Sequence, residues 1–471
     1  MMNQLYTLVR NCTVNLFGEI QPIMSPSSIT SSRTNIHILG PSMTLAKLIL
    51  LGFLLSFANA KASAQSVNSP TEVKGKLLII GGALRYDNQQ VWQRLIQEAG
   101  GTTAQFAVIP TASGNPNKAA QLVVDNIKAY GANAYVVPLS EKLLDETGKS
   151  QTQRLTRSTE WVEKIKNAQG IYFTGGDQNR ITRVLYDADG KATPLLEAIW
   201  DMYRRGGIIA GTSAGAAIMS ETMFANAGSV LKTLQQGAHR GKEFDRGLGF
   251  IGPGILVDQH LIIRGRFARM LPVMQATSIP LGLGIDENTA MLIQQQREME
   301  VIGYKGAIVL EMHPANAPGK SIPFAAHDIR IHYLTHGDKL DLRSKQITPS
   351  SDKERLVEAQ SEEADQLMST TSNILANTAV VELMSQLIES PAQEMVGLAF
   401  DASNSPNSKP KASVGFKFTF SKTPESRAYF SSKTGMEAYT IQGLRLDVTP
   451  IQMPNPLYTE EATQESIKNK H

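Results

Sequence analysis

Gly211-Thr212-Ser213-Ala214-Gly215 sets a serine among small residues, after the apolar run Gly207–Gly211 and before an alanine-rich stretch. A G-x-S-x-G sequence between a strand and a helix can turn sharply enough to expose the hydroxyl as a nucleophile. The N–H of the next residue, Ala214, is then placed to meet the oxyanion that forms on attack. The same serine could instead cap the helix, since serine is a preferred N-cap, and the motif alone does not separate the two roles. A hydroxyl also needs a base. Of the 8 histidines, His260 alone ends an apolar strand-like run, in VDQHLIIRGRFARM. An acid must then fix the imidazole tautomer, and Asp286 and Glu287 close the run LGLGIDENTA. Spacing does not choose between them. The chain order serine, histidine, acid differs from the order in α/β-hydrolases, which argues against an ordinary lipase or esterase.

The neighbours of these residues bear on substrate. Arg264, Arg266 and Arg269 follow His260, and Asp258 and Gln259 precede it. Arg266 and Arg269, three apart, are expected on one helix face, with Arg264 ahead of them at the mouth of a cleft. Guanidinium forks bind carboxylates bidentately, so this arrangement points to an acidic substrate or a peptide carrying acidic groups. In FTGGDQNR, Gly176 could supply a second oxyanion N–H and Gln178 an amide contact, although Asp177 could equally be a plain helix cap.

Positioning these groups requires a particular kind of fold. Apolar strand-like runs (Leu77–Gly82, Phe106–Thr111, Ala134–Leu139, Gly170–Gly176, Gly207–Gly211, Gly254–Gln259 and Leu281–Asp286) alternate with amphipathic helical patterns. Near-continuous apolar strands joined by helices predict an α/β domain, a three-layer sandwich whose mostly parallel sheet is covered on both faces. Ligands of such sheets bind beyond the carboxyl ends of the strands, where the suspect serine, histidine, acids and diglycine all fall. From about Asp352 the pattern changes to an acid-rich segment, the helical AVVELMSQLIES and the alternating VGFKFTF and LRLDV. The expected division is a catalytic domain over 70–345 and a C-terminal extension over 346–471 with a helix and antiparallel strands.

Composition narrows the class further. With 471 residues and 42% hydrophobic content, the chain is long enough for a sizeable core. A net charge of +3 with interspersed signs offers no basic stripe for nucleic acid. The single cysteine, Cys12, excludes an internal disulfide, and the chemistry outlined above calls for no metal or cofactor. From Met43, the sequence MTLAKLILLGFLLSFANAKASAQS pairs a lysine with a short apolar run and A-x-A sites, the layout of a secretory signal peptide over 43–64. Residues 1–42 then read as an upstream extension outside the native start. The expectation is a secreted or periplasmic protein that leaves the membrane once the signal is cleaved.

Taken together, GTSAGA, FTGGDQNR, FDRGLGF, VDQHLIIRGRFARM and GIDENTA resemble the cyanophycinase family of serine exopeptidases, over about residues 75–345. The resemblance implies a fold akin to aspartyl dipeptidases and class I glutamine amidotransferases, a homodimer, and hydrolysis of cyanophycin, an arginine-substituted poly-aspartate, to β-aspartyl-arginine dipeptides. It implies Ser213 as nucleophile, His260 as base and Glu287 as orienting acid, with Asp286 outside the set. Gln178, Asp258, Gln259, Arg264, Arg266 and Arg269 become substrate contacts. Leu261 departs from the aromatic residue expected after the histidine, and the C-terminal region is longer than in intracellular members; both bear on chain-length preference. A secreted aspartyl or isoaspartyl dipeptidase of the same fold, and a non-catalytic binder of acidic peptides, are the alternative readings.

Overall fold

The first apolar run, β1 (Lys76–Ile80), sends alternate side chains into two different cores. Leu77 and Ile79 enter one, Leu78 and Ile80 the other, as the two-residue period of a strand requires. Both faces therefore need cover, and the following chain provides it. Helix α1 (Gln89–Glu98) begins where the Asn88 side chain accepts from the Val91 N–H. Helix α2 (Pro116–Ala129) begins at Asn115, with proline in the first turn, where its missing N–H is no loss. Trp92, Leu95, Val124 and Ile127 of these helices pack on one face of the sheet. Next come β2 (Gln105–Ile109), β3 (Asn133–Val136), α3 (Thr152–Thr156), α4 (Thr159–Lys166), β4 (Gly170–Phe173), α5 (Gln178–Leu185), α6 (Pro194–Arg204) and β5 (Ile208–Thr212). Ile181, Leu185, Leu195 and Ile199 of α5 and α6 pack on the opposite face.

The computed structural model describes residues 73–144, 148, 150–226, 228–316, 321–356, 370–401, 413–433 and 438–454. These residues belong to one compact unit. After β5 the chain continues through α7 (Ala214–Ala217), β6 (Thr222–Phe224), α8 (Val230–Gln236), β7 (Phe244–Arg246), β8 (Ile255–Gln259), α9 (Phe267–Thr277) and β9 (Leu281–Ile285). Then follow β10 (Thr289–Gln294), β11 (Glu298–Gly303), β12 (Ala307–Glu311), β13 (Ala326–Leu334), β14 (Lys339–Asp341), β15 (Ile347–Thr348), β16 (Glu354–Arg355) and β17 (Thr370–Thr371). The last described elements are α10 (Ala379–Glu389), β18 (Glu394–Ala399), β19 (Ser413–Ser421), β20 (Arg427–Ser431) and β21 (Ala438–Met453). The proposed signal segment, residues 43–64, and Cys12 lie outside the described residues.

The α/β architecture matches expectation, with one reassignment. A nine-stranded sheet runs β15-β14-β11-β10-β1-β5-β4-β2-β3. Its β1, β5, β4, β2 and β3 are parallel, and β10, β11, β14 and β15 extend it in antiparallel fashion. The runs containing β8 and β9, expected in this sheet, instead pair in parallel at one edge of a second, ten-stranded sheet. An apolar run buried on both sides reads the same whichever sheet it joins. Here Val257, Leu283 and Ile285 face the core below β1, while Leu256 faces α9.

Antiparallel β12 and β13 continue the second sheet from β9, and the long β21 pairs with both β13 and β19. Phe416, Phe418 and Phe420 of β19 share one core with Phe267 and Met270 of α9. The C-terminal strands thus complete the sheet that carries β8 and β9.

Candidate active site

Strand register brings the chemical groups level. In the first sheet Ile80 of β1 lies opposite Thr212 of β5, and Phe173 of β4 opposite Gly211. The segments that leave these strands, Gly81–Gly82, Gly175–Gly176 and Ser213, therefore emerge side by side. In the second sheet Gln259 of β8 lies opposite Ile285 of β9, so His260 and Glu287 leave together. The two sheets are stitched at this point by backbone bonds from the His260 N–H to the Gly81 oxygen (2.8 Å) and from the Asn288 N–H to the Gly82 oxygen (2.8 Å).

Ser213 occupies a sharp turn with φ 53° and ψ −109°, a strained conformation for a non-glycine residue. Its N–H donates to the Ile80 oxygen, and its own carbonyl accepts from Ala216 and Ala217. Close approach of the chain makes the turn possible: a β-carbon at Gly211 would lie 2.1 Å from the Gly215 oxygen. The side chain makes no capping hydrogen bond. Instead Ser213 Oγ lies 2.8 Å from His260 Nε2, and His260 Nδ1 lies 2.6 Å from Glu287 Oε1. With Nδ1–H donating to the carboxylate, Nε2 is left to accept the serine proton. Burial holds the His260 pKa below its ordinary 6.5; the Glu287 hydrogen bond opposes this, and the nearby Arg264 and Arg266 charges reinforce it. The base is thereby kept neutral to lower pH than a free imidazole.

Helix α7, with only four residues, has little macrodipole to offer. Charge on the serine side would have to be met by individual N–H groups. Ala214 follows Ser213 directly, and the diglycine Gly175–Gly176 comes up against the serine, where a β-carbon at Gly175 would lie 3.3 Å from Ser213 Cβ. Gly176 has φ 145°, and a β-carbon there would collide with the Ala112 oxygen at 2.0 Å.

The structure separates the two neighbouring acids. Asp286 is fully buried and accepts from the N–H groups of Ile262 and Ile263 at 3.2 and 3.1 Å, with Lys305 Nζ 3.1 Å from its other oxygen. It anchors the turn that carries His260, whereas Glu287 reaches the imidazole.

The expected substrate contacts divide differently. Arg269 and Asp258 are both buried and form a bidentate pair, with two bonds of 2.7 Å. Arg269 also lies over the Phe224 ring at 4.0 Å. The expectation of two free substrate-binding groups is therefore corrected: a buried cation without a partner would be strongly disfavoured, and Asp258 is the partner. Arg266 is the N-cap of α9, with helical φ and ψ of −75° and −12°, and its carbonyl accepts from the Arg269 N–H at 3.1 Å. The Arg266 Nη1 donates to both the carbonyl and the side-chain oxygen of Gln259 at 2.9 Å, and burial pushes its pKa down to about 10. The Gln178 amide donates to the Phe224 and Ala225 oxygens, bracing the end of β6. Arg264 is exposed beside His260, a cation open to an incoming carboxylate. Leu261 is buried against Gly284, in the core below the site.

Three residues of the site carry no catalytic signature in the sequence. Gly82 has φ 122°, and a β-carbon there would lie 2.2 Å from His260 Cε1, so only glycine leaves room for the imidazole. Asn88 and Asn288, discussed below, join the two strand exits. The LLIIGG end was readable as a strand terminus, but nothing in it pointed to a histidine far along the chain.

Residues 77–301 match the profile of Peptidase family S51. A cyanophycinase from a Nostoc species is 30% identical over 299 residues, which cover 62% of this chain and 93% of that protein. One from Geminocystis herdmanii is 33% identical over 283 residues, covering 58% and 96%. Among solved structures, a peptidase from an acI-B1 Actinobacterium aligns with a TM-score of 0.42 at 21% identity, covering 58% of this chain and 98% of that one. With a family profile matched across the serine, the histidine and the acid, and relatives covered over nearly their whole length, the chain belongs to peptidase family S51 and is a peptidase.

Proposed function

We propose that the protein is a cyanophycinase, a serine exopeptidase that releases β-aspartyl-arginine dipeptides from cyanophycin. The observation that carries this reading is the unbroken line from Ser213 Oγ through the His260 ring to Glu287, at 2.8 and 2.6 Å. Ser213 attacks a main-chain amide carbon of the poly-aspartate while His260 Nε2 takes its proton. The N–H groups of Ala214 and Gly176 receive the oxyanion, and Glu287 stabilises the imidazolium. Collapse transfers the proton to the leaving amine and leaves an acyl-serine, which water cleaves with His260 again as base. Arg264 and the paired Arg266–Gln259 face the acidic and amide groups of the polymer; Asp258 and Arg269 support them from below.

The test is incubation with purified cyanophycin, with products identified by mass. Release of β-aspartyl-arginine, lost on the order of 10³-fold or more in Ser213→Ala, is the expected result. Hydrolysis of free aspartyl dipeptides with the polymer left intact would identify a dipeptidase of the same family instead. Equal rates for Ser213→Ala and the parent would remove the serine mechanism altogether. The same proposal puts the mature chain outside the cytoplasm, on the strength of the Met43–Ala64 segment. N-terminal sequencing of protein from the culture medium would then begin after the alanine-rich stretch ending at Ala64.

A further inference from the structure

Glu287 is held by what surrounds it, and the tie crosses between the two sheets. The residue after it, Asn288, has φ 54°, a left-handed conformation that asparagine tolerates better than most side chains. Several hydrogen bonds hold it there, among them one from the Tyr304 N–H to its carbonyl at 3.4 Å. The Asn288 N–H donates to the Gly82 oxygen, and its Oδ1 accepts from the Arg85 N–H at 3.0 Å. The Asn88 side-chain amide completes the set, with Nδ2 3.0 Å from both the backbone oxygen and Oδ1 of Asn288. Asn88 is fully buried, and its remaining oxygen accepts from the Val91 N–H at the start of α1. Every donor and acceptor of the Asn88 side chain is therefore committed, the acceptor to a helix start and both donors to Asn288.

We infer that Asn88 is a positioning residue for catalysis, locking the left-handed Asn288 so that the Glu287 carboxylate meets His260 Nδ1. A helix cap alone requires only the side-chain oxygen, and serine or aspartate would supply that equally well. The donor pair aimed at a residue 200 positions away has no part in capping. With the amide gone, the Asn288 carbonyl and side-chain oxygen lose their shared donor inside the fold, and the Glu287 peptide is free to relax away from the imidazole. A misplacement of an ångström or less is enough to weaken a catalytic hydrogen bond.

This inference rests on Ser213, His260 and Glu287 being the catalytic set, and the experiment separates the two. Asn88→Ser keeps an acceptor for α1 and deletes both donors. The expected result is a fall in kcat of about tenfold or more with KM within about twofold. The acid limb of kcat/KM should also move to lower pH, because a retracted Glu287 no longer favours the imidazolium. The other charged groups acting on His260, Arg264 and Arg266, are untouched by the change. A purely structural role would lower the melting temperature and leave the limb in place. Should Asn88→Ser fail to fold, Asn288→Ala removes the receiving side chain, with the same displacement expected. The double variant should lose no more than the worse single one, since both break one link. An unchanged kcat and pH profile in folded Asn88→Ser or Asn288→Ala, or additive losses in the double variant, overturns the inference. If Ser213→Ala and Glu287→Gln retain full activity, the catalytic reading falls and the inference with it. If they are inactive while Asn88→Ser behaves as the parent, the inference alone falls.

Discussion

Residue by residue, the site is governed by burial acting on one imidazole. Because desolvation holds the His260 pKa below 6.5, the base is neutral and competent until the pH drops beneath that value. The acid limb of kcat/KM is therefore expected to have its midpoint below 6.5, as a pH–rate profile with a soluble β-aspartyl peptide would measure. Glu287→Gln removes the group that favours the imidazolium, so the limb should move lower while kcat falls on the order of 10³-fold. Arg264→Met works in the opposite sense: with a neighbouring positive charge gone, the limb moves up, and KM for acidic substrates rises. The identities of Ser213 and His260 were legible from their positions at the ends of apolar runs. The choice of Glu287 over Asp286 was open on spacing alone. Adjacent residues leaving a strand point in different directions, and only the N–H groups of Ile262 and Ile263, which hold Asp286, decide that Glu287 is the acid left to meet the imidazole.

At the level of elements, the exits of β1 and β8 must fit one against the other. Gly82→Ala would drive a β-carbon into the imidazole and add strain of about 1–2 kcal/mol from its positive φ. A folded protein with at least a hundredfold less activity is expected, checked by a thermal melt alongside the assay. Beneath the site, Asp258 at the end of β8 and Arg269 in α9 are a buried bidentate pair. Asp258→Asn leaves the Arg269 charge buried and poorly matched. The expected loss is about 3–5 kcal/mol of stability, read from denaturant midpoints. The family resemblance assigned these two residues to the substrate, because a sequence carries no information on which charges are buried together.

Across the whole molecule, the C-terminal strands are part of the structure that holds the histidine and the acid. Strand β21 pairs with β13, and the Phe416, Phe418 and Phe420 side chains of β19 pack with Phe267 of α9. The buried Lys353 ties the region together: its Nζ lies 2.7 Å from Asp338 and 3.0 Å from the Thr440 hydroxyl of β21. A chain ended after residue 345 would expose that aromatic core and leave one edge of β13 unpaired, with only β12 beside it. Such a truncation should be insoluble or lack cooperative unfolding, as calorimetry would show, although the profile match ends at residue 301. A truncated protein that melted cooperatively and kept its activity would show that β8 and β9 hold their positions without the C-terminal strands.

By itself the sequence determined the α/β alternation and the presence of a serine, a histidine and acids at strand ends. These are local properties, written in side-chain period, turn composition and small-residue spacing. Only the tertiary structure decided that β8 and β9 belong to a second sheet, that Asp258 and Arg269 neutralise each other, and that Asn88 reaches Asn288. Hydrophobic period reports that a face is buried and is silent on what buries it, and a charge in the sequence has no partner until folding brings distant segments within hydrogen-bonding distance.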